Sequence, residues 1–244
     1  MKYMITLARS VFGWIGALCI AFIALIIFTP LALLPESIRF NMRIFYRLSS
    51  FGARTILWLL GIRYTVLCAA PLPIYPAQPS VVIANHSSAL DILLLEAVVG
   101  GYPHIWLSKI AYAAVPVFGF ILSRMHVVVA RSSVRKAAAA LQRLHRLAQG
   151  GFRHIFMFPE GTRYSDGNIH PFRHGFARLA RQLDRPVRPL YIKNAHKVLA
   201  KGSFVANTSV VVKIMVGPSF RLKPNESESD FVSRIHSWFV QKVE

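Results

Sequence analysis

From Val11 to Pro35 the chain carries no charged residue, and the run VFGWIGALCIAFIALIIFTPLALLP is apolar on every face of a helix. At 1.5 Å per residue a run of this length crosses the ~30 Å of a bilayer's hydrocarbon. It exceeds a signal-peptide core, and no small-residue cleavage site precedes a polar start, so it is read as a retained anchor. Pro30 is expected to kink or end this helix. The next stretch, Ile38 to Leu60, has a different pattern. Arg39, Arg43, Arg47 and Arg54 recur at four, four and seven, which stacks them along one side of a helix, with Ile44, Phe45, Leu48 and Ile56 on the other. A basic stripe opposite an apolar one fits a helix lying among anionic lipid headgroups.

After Tyr64 short β-rich runs alternate with helical ones. Strands are predicted at Tyr64 to Cys68, Val81 to Ala84, His104 to Leu107, Val127 to Ala130, Ile155 to Phe158, Val187 to Ile192 and Val210 to Val216. Helices are predicted at Ser88 to Val99, Ser133 to Ala148, Gly175 to Leu183 and Ser229 to Lys242, the first opened by Ser88 and Asp91 at capping-box spacing. A Pro-rich loop, Ala70 to Ser80, separates the first two strands. The alternation gives an α/β domain with a largely parallel sheet, whose ligand sites gather at the carboxyl ends of strands. Residues 1–62 are read as membrane-anchoring helices and 63–244 as a single domain, with no repeat and no low-complexity tract.

Composition narrows the classes. Hydrophobic residues make up 54% and charged residues 16% of the 244, against about 25% charged in an average globular chain, which excludes intrinsic disorder. Lys and Arg number 29 against 10 Asp and Glu, a formal charge of +19, so an acidic partner is expected. A nucleic acid is disfavoured, because the basic residues are spread along the chain and the anchor would be unexplained. Anionic lipid and a phosphorylated substrate remain. Cys19 and Cys68 have no zinc-type or CxxC spacing, so neither a disulfide framework nor a metal is expected. More Arg follows the apolar run than precedes it, which places the remainder on the cytoplasmic side of the inner membrane.

Acidic residues are scarce enough to be informative: from Met1 to Glu160 there are only Glu36, Asp91, Glu96 and Glu160. Two of them stand at strand ends. In Asn85-His86-Ser87-Ser88-Ala89-Leu90-Asp91 the histidine leaves a strand and the aspartate lies in the first helical turn, from which its carboxylate can turn back toward the imidazole. Such a pair fixes one tautomer and makes the other ring nitrogen a base toward a hydroxyl, which a substrate can supply. Phe158-Pro159-Glu160-Gly161-Thr162-Arg163 follows the apolar run HIFMF, and the Arg163 guanidinium offers a planar fork to a phosphate. Ser87 and Ser88 are read as helix-start residues rather than nucleophiles.

Together the two blocks resemble the glycerolipid acyltransferase family typified by 1-acylglycerol-3-phosphate acyltransferases, which carries NHxxxxD and, some seventy residues on, FPEGTR. Lys109, Pro116, Gly119 and Arg131 look like the family's second block, and Val187 with Pro189 like its fourth. The resemblance covers about Ser80 to Ile192. It implies His86 as general base, Asp91 as its orienting carboxylate, and Glu160, Gly161, Thr162 and Arg163 as the acceptor-phosphate site, with Lys109 and Arg131 as supporting cations. It further implies direct transfer of an acyl group from coenzyme A or acyl carrier protein to a lysophospholipid, with no cofactor beyond that co-substrate. Neither cysteine looks like an acyl-carrying nucleophile, which agrees with direct transfer.

The sequence departs from the family pattern at Tyr164, where Ser is common, at Phe172-Arg173-His174 before Gly175, at Ala130, and at Arg188 before Pro189. These positions are expected near the polar end of the site, so the acceptor headgroup stays open among lysophosphatidate, lyso-ornithine lipid and lysophosphatidylglycerol. A non-catalytic lipid-binding protein and a lysolipid hydrolase on the same scaffold are the competing readings.

Overall fold

The computed structural model describes residues 2–68, 78–99, 101–109, 114, 118–130 and 133–243. Three helices lead: α1 (Lys2–Leu33), α2 (Glu36–Arg39) and α3 (Arg43–Leu59). An alternating series follows, β1 (Arg63–Cys68), β2 (Val81–Ala84), α4 (Leu90–Val99), β3 (His104–Lys109), α5 (Phe118–Met125), β4 (Val127–Val129), α6 (Val134–Gln149) and β5 (His154–Met157). It closes with α7 (Gly175–Gln182), β6 (Val187–Lys193), α8 (Ala195–Val198), β7 (Val211–Val216) and α9 (Glu228–Val240). The seven strands form one sheet in the order β1-β7-β6-β2-β5-β3-β4. Every pair is parallel except β6 with β7. The α/β class and the largely parallel sheet therefore hold. Most of the Pro-rich loop lies outside the described residues.

Both faces of the sheet are covered, as a parallel sheet requires. On one face Val82, Ala84, Trp106, Phe156, Leu190 and Ile192 pack with residues of α3 and α4, such as Ala53, Leu57, Leu94 and Leu95. On the other, Val81, Ile83, Ile155, Val187 and Tyr191 pack with residues of α6, α7 and α9, such as Leu144, Phe176 and Phe231. β2 is buried along its whole length, which explains its unbroken VVIA. The connection from β2 leads through α4 across β5 to β3; that from β5 leads through α7, on the opposite face, across β2 to β6. The chain thus departs in opposite directions from two neighbouring strands, and a crevice opens between their carboxyl ends.

The N-terminal helices differ from expectation in two respects. α1 runs through Pro30 and ends one turn later, where a missing N–H interrupts little of the remaining ladder. The Thr29 hydroxyl donates to the Leu25 carbonyl, and Arg39 and Arg124 donate to the terminal carbonyls of Leu34 and Ala32. The four arginines also do not share one helical face. The chain turns between α2 and α3, Arg39 is buried with its Nε donating to the Arg124 carbonyl, and Arg54 donates to Ala97 O near the end of α4. Packing against the protein decides which side of α3 points inward: Phe45, Tyr46, Ser50, Ala53 and Leu57 are buried. Ile44 instead shares the outer face with Arg43, Arg47, Phe51 and Trp58.

α1 lies close along α3. A Cβ at Gly13 would stand 3.0 Å from Leu59 O and 3.1 Å from Leu60 Cα, so this glycine sets the approach. Thr6–Leu33 is long and apolar enough to cross a membrane, and Phe12, Ile15, Leu18, Phe22, Ile23 and Ile26 are exposed along it. Cys19 is a free, exposed thiol on this helix.

Two short helices escape the sequence reading. α5 has only eight residues and its buried side is carried by Gly119, Ile121 and Met125; α8 is a single turn after Asn194, whose φ of 73° is left-handed. The four predicted longer helices and all seven strands are present within two residues of their expected ends.

Candidate active site

β2 and β5 are adjacent and parallel, with Ile83 opposite Met157. That register brings His86, two residues past β2, beside Glu160, three residues past β5. The two blocks of the sequence thus meet at neighbouring strand ends over the crevice.

His86 Nδ1 and Asp91 Oδ2 are 2.8 Å apart. Asp91 is fully buried, and the same oxygen accepts the backbone N–H groups of Ser87 (2.7 Å) and Ser88 (2.8 Å). A carboxylate oxygen that accepts from three donors is fixed in place, so Nδ1 carries the proton and Nε2 is the ring's lone-pair nitrogen. About a tenth of the imidazole remains accessible. The capping box is half realised: Asp91 accepts the Ser88 N–H as expected, while the Ser88 hydroxyl donates to Leu199 O and accepts from Leu90 N. Both serines serve the helix start.

The turn from Phe158 to Gly161 is closed by a Gly161 N–H to Phe158 O bond of 3.1 Å. Gly161 has a φ of 74°, a left-handed conformation that penalises any side chain. The turn grips His86 by its backbone twice. Glu160 Oε1 accepts the His86 N–H at 3.1 Å, and Tyr164 N–H donates to His86 O at 2.9 Å. Glu160 is buried, its Oε2 has no hydrogen-bond partner among the described residues, and burial, with Asp91 and Asp166 nearby, raises its pKa to about 8 against the opposing bond from His86. The carboxyl is therefore neutral at pH 7, which permits an anionic group beside it and supplies one O–H donor.

Thr162 is exposed, and Arg163 is half-buried with a buried Nε that has no partner among the described residues. Lys109 is the last residue of β3, in register with Val129. Arg131 and Pro116 fall outside the described residues. Arg188, expected at the polar end of the site, instead pairs with Val82 before the middle of β6, away from the strand's carboxyl end. Tyr164 does lie at the rim, its ring stacked on His170 at 3.6 Å and 10°; His170 Nε2 in turn meets Asp166 Oδ2 at 2.8 Å.

Sequence reasoning gave no role to two residues inside its own motifs. The Asn85 side chain donates to Ile192 O (3.0 Å) and accepts from Ile192 N (2.7 Å), continuing the β2–β6 pairing one step past the strand end. Phe158 lies flat against His86, with ring centroids 3.9 Å apart and planes 10° apart. The alternation of His154, Phe156 and Phe158 on one face of β5 was the available signal for the second.

Set beside other proteins, the chain matches the profile of the Acyltransferase family over residues 68–193, more than half its length. The chain belongs to the acyltransferase family. Among its relatives is a 1-acyl-sn-glycerol-3-phosphate acyltransferase of Borreliella burgdorferi, 30% identical over 191 residues that cover 77% of this chain and 74% of that protein. A chloroplastic 1-acyl-sn-glycerol-3-phosphate acyltransferase of Brassica napus is 35% identical over 126 residues, 51% of this chain. That match spans only 36% of the plant protein's length. The crystal structure of the 1-acyl-sn-glycerophosphate acyltransferase PlsC from Thermotoga maritima superposes with a TM-score of 0.75 at 20% identity, covering all of this chain and 96% of that one. The acyltransferase fold thus extends over the N-terminal helices as well as the sheet.

Proposed function

We propose that this acyltransferase-family protein moves a fatty acyl group from an acyl thioester to the free hydroxyl of a lysophospholipid, with 1-acylglycerol 3-phosphate as acceptor and phosphatidic acid as product. The observation that carries this reading is the His86–Asp91 pair, held at 2.8 Å and gripped from behind by the Glu160 turn. His86 Nε2 takes the proton of the acceptor hydroxyl as the oxygen attacks the thioester carbonyl, and Asp91 stabilises the imidazolium. The tetrahedral adduct collapses, the C–S bond breaks, and the imidazolium returns its proton to the leaving thiolate. No acyl-enzyme is needed. Arg163 holds the acceptor phosphate as a bidentate donor, Glu160 in its neutral form donates a hydrogen bond beside it, and Gly161 and Thr162 shape the turn. Lys109 and Arg131 are the supporting cations in this reading.

The donor is acyl-CoA or acyl carrier protein; no resident cofactor or metal enters the scheme. The exposed apolar face of α1 and the outer face of α3, where Ile44, Phe51 and Trp58 alternate with Arg43 and Arg47, support seating on an anionic membrane. In this reading that membrane is the cell's inner one, with the sheet on the cytoplasmic side. The test is incubation of the purified protein with labelled acyl-CoA, and separately acyl carrier protein, and lysophosphatidate, followed by product analysis. Labelled phosphatidic acid is expected. Free fatty acid as the sole labelled product would replace transfer by hydrolysis, and no turnover with any lysolipid in a panel of headgroups would leave a binding protein.

A further inference from the structure

Two of the four acidic residues before residue 161, Glu36 and Glu96, have no part in the scheme above, and of these Glu96 is the buried one. Glu96 stands on α4, whose sequence LDILLLEAVV is otherwise apolar past its first turn, and it is buried beneath α3. Burying a carboxylate there is costly unless donors surround it. Three do. Trp106 Nε1–H donates to Oε1 at 2.6 Å, His104 Nε2 lies 2.9 Å from the same oxygen, and the Ser49 hydroxyl of α3 donates to Oε2 at 2.9 Å. His104 Nδ1 faces the Tyr102 carbonyl at 2.8 Å, so both its ring nitrogens act as donors and the ring is an imidazolium. Burial opposes both charges, but the pairing wins: Glu96 is held down to about 2 and His104 is raised.

The arrangement continues toward the site. The Trp106 ring packs on Phe158 with centroids 5.7 Å apart and planes 27° apart, and Phe158 in turn stacks on His86. Asp91 constrains His86 at one atom, which leaves the ring free to tilt about that hydrogen bond. A flat neighbour removes this freedom, and Phe158 can serve only if it is itself braced. Trp106 braces it, and its indole is pinned by the short bond to Glu96.

We propose that Phe158, Trp106 and Glu96 are positioning residues that set the plane of the His86 ring, and that Ser49 ties this ladder to α3. The proposal rests on His86 being the base of the transfer. The ladder acts on orientation alone, so it should alter turnover without altering how either substrate binds.

The experiment compares Phe158→Leu, Phe158→Tyr, Trp106→Phe and Glu96→Gln in the full chain, using kcat and KM for both substrates, thermal melting, and the imidazole ¹H–¹⁵N resonances of His86 assigned by their loss in His86→Ala. Phe158→Leu is expected to lower kcat about tenfold to a hundredfold, the scale of a small misplacement of a reacting group. KM for donor and acceptor should stay within about twofold, and the His86 resonances should broaden. Phe158→Tyr should restore both readouts, and Trp106→Phe and Glu96→Gln should fall between. Wild-type kcat in Phe158→Leu, a loss shared equally between kcat and KM, or unchanged His86 resonances would overturn the proposal. If the wild-type chain turned over no lysolipid, the functional reading would fail separately, and the resonances would still decide whether Phe158 orders the ring.

Discussion

His86 and Glu160, 74 residues apart, are joined through the histidine's own backbone, whose N–H donates to Glu160 Oε1 at 3.1 Å. The neutral state of Glu160 at pH 7 follows from its burial and from the nearby charges of Asp91 and Asp166. Its proton leaves as pH rises through about 8, which in the proposed scheme places a carboxylate beside the acceptor phosphate. Acceptor KM should therefore climb above that pH while donor KM stays level. Glu160→Gln cannot ionise and should flatten the climb; an unchanged acceptor profile in this variant would separate Glu160 from the phosphate.

His86→Ala should lower kcat by ~10² to 10⁴, the range for loss of a general base, with little change in melting temperature because the side chain lies at a strand end. Asp91→Asn should be comparably severe. Its amide would confront two backbone N–H groups and the imidazole with half its acceptor capacity lost, and it would favour the wrong tautomer. Turnover above about a tenth of wild type in His86→Ala would remove the residue from the role of base.

Arg163→Ala should weaken the acceptor far more than the donor, since a charge-assisted bidentate contact contributes ~1.5 to 3 kcal/mol. Lysine should recover part of this, because it keeps the charge and loses the fork. Equal losses for both substrates, measured as separate KM values, would place Arg163 elsewhere.

Asn85→Ala should act on the fold and the site together. It leaves the buried N–H and C=O of Ile192 without their side-chain partner, a cost of ~1 to 3 kcal/mol, and loosens the residue next to His86. Melting temperature and kcat should both fall. Asn85→Asp keeps one of the two bonds and should lie between; a variant that melted like wild type would show that Ile192 finds other partners.

For α3 the exposed Trp58 gives a direct probe. In anionic vesicles, lipids brominated on the acyl chain should quench the part of the fluorescence that Trp58→Phe removes. Arg43→Gln with Arg47→Gln should reduce association at low salt by about 1 kcal/mol per arginine and have little effect at high salt. Absence of quenching at Trp58 would turn this face of α3 toward water.

The sheet and its two motif-bearing strand ends were legible because each rule involved is local: unbroken apolar runs mark buried parallel strands, and a histidine five residues before an aspartate at a helix start can fold back on it. What was not legible depends on packing partners distant in sequence. The arginine spacing correctly identified a helix in 43–59, yet only the neighbours α1 and α5 determine that Phe45 faces inward and Ile44 outward. Arg188 looked like a site residue by its place beside Pro189, and the register with Val82 alone puts it elsewhere. Phe158 was in view as a motif letter, but its contact with His86 requires the β2–β5 pairing to exist first.

That pairing also divides the labour along the chain. His86 and Asp91 lie before α6, the Glu160 turn lies after it, and the two stretches are joined through the exposed turn at Gly150 to Phe152. A cut there would yield two fragments, each holding half of the crevice and neither able to build the sheet alone, since β5 must be inserted between β2 and β3. Catalysis by the mixed fragments would then report complementation, strand by strand, in a way that no measurement on the intact chain can.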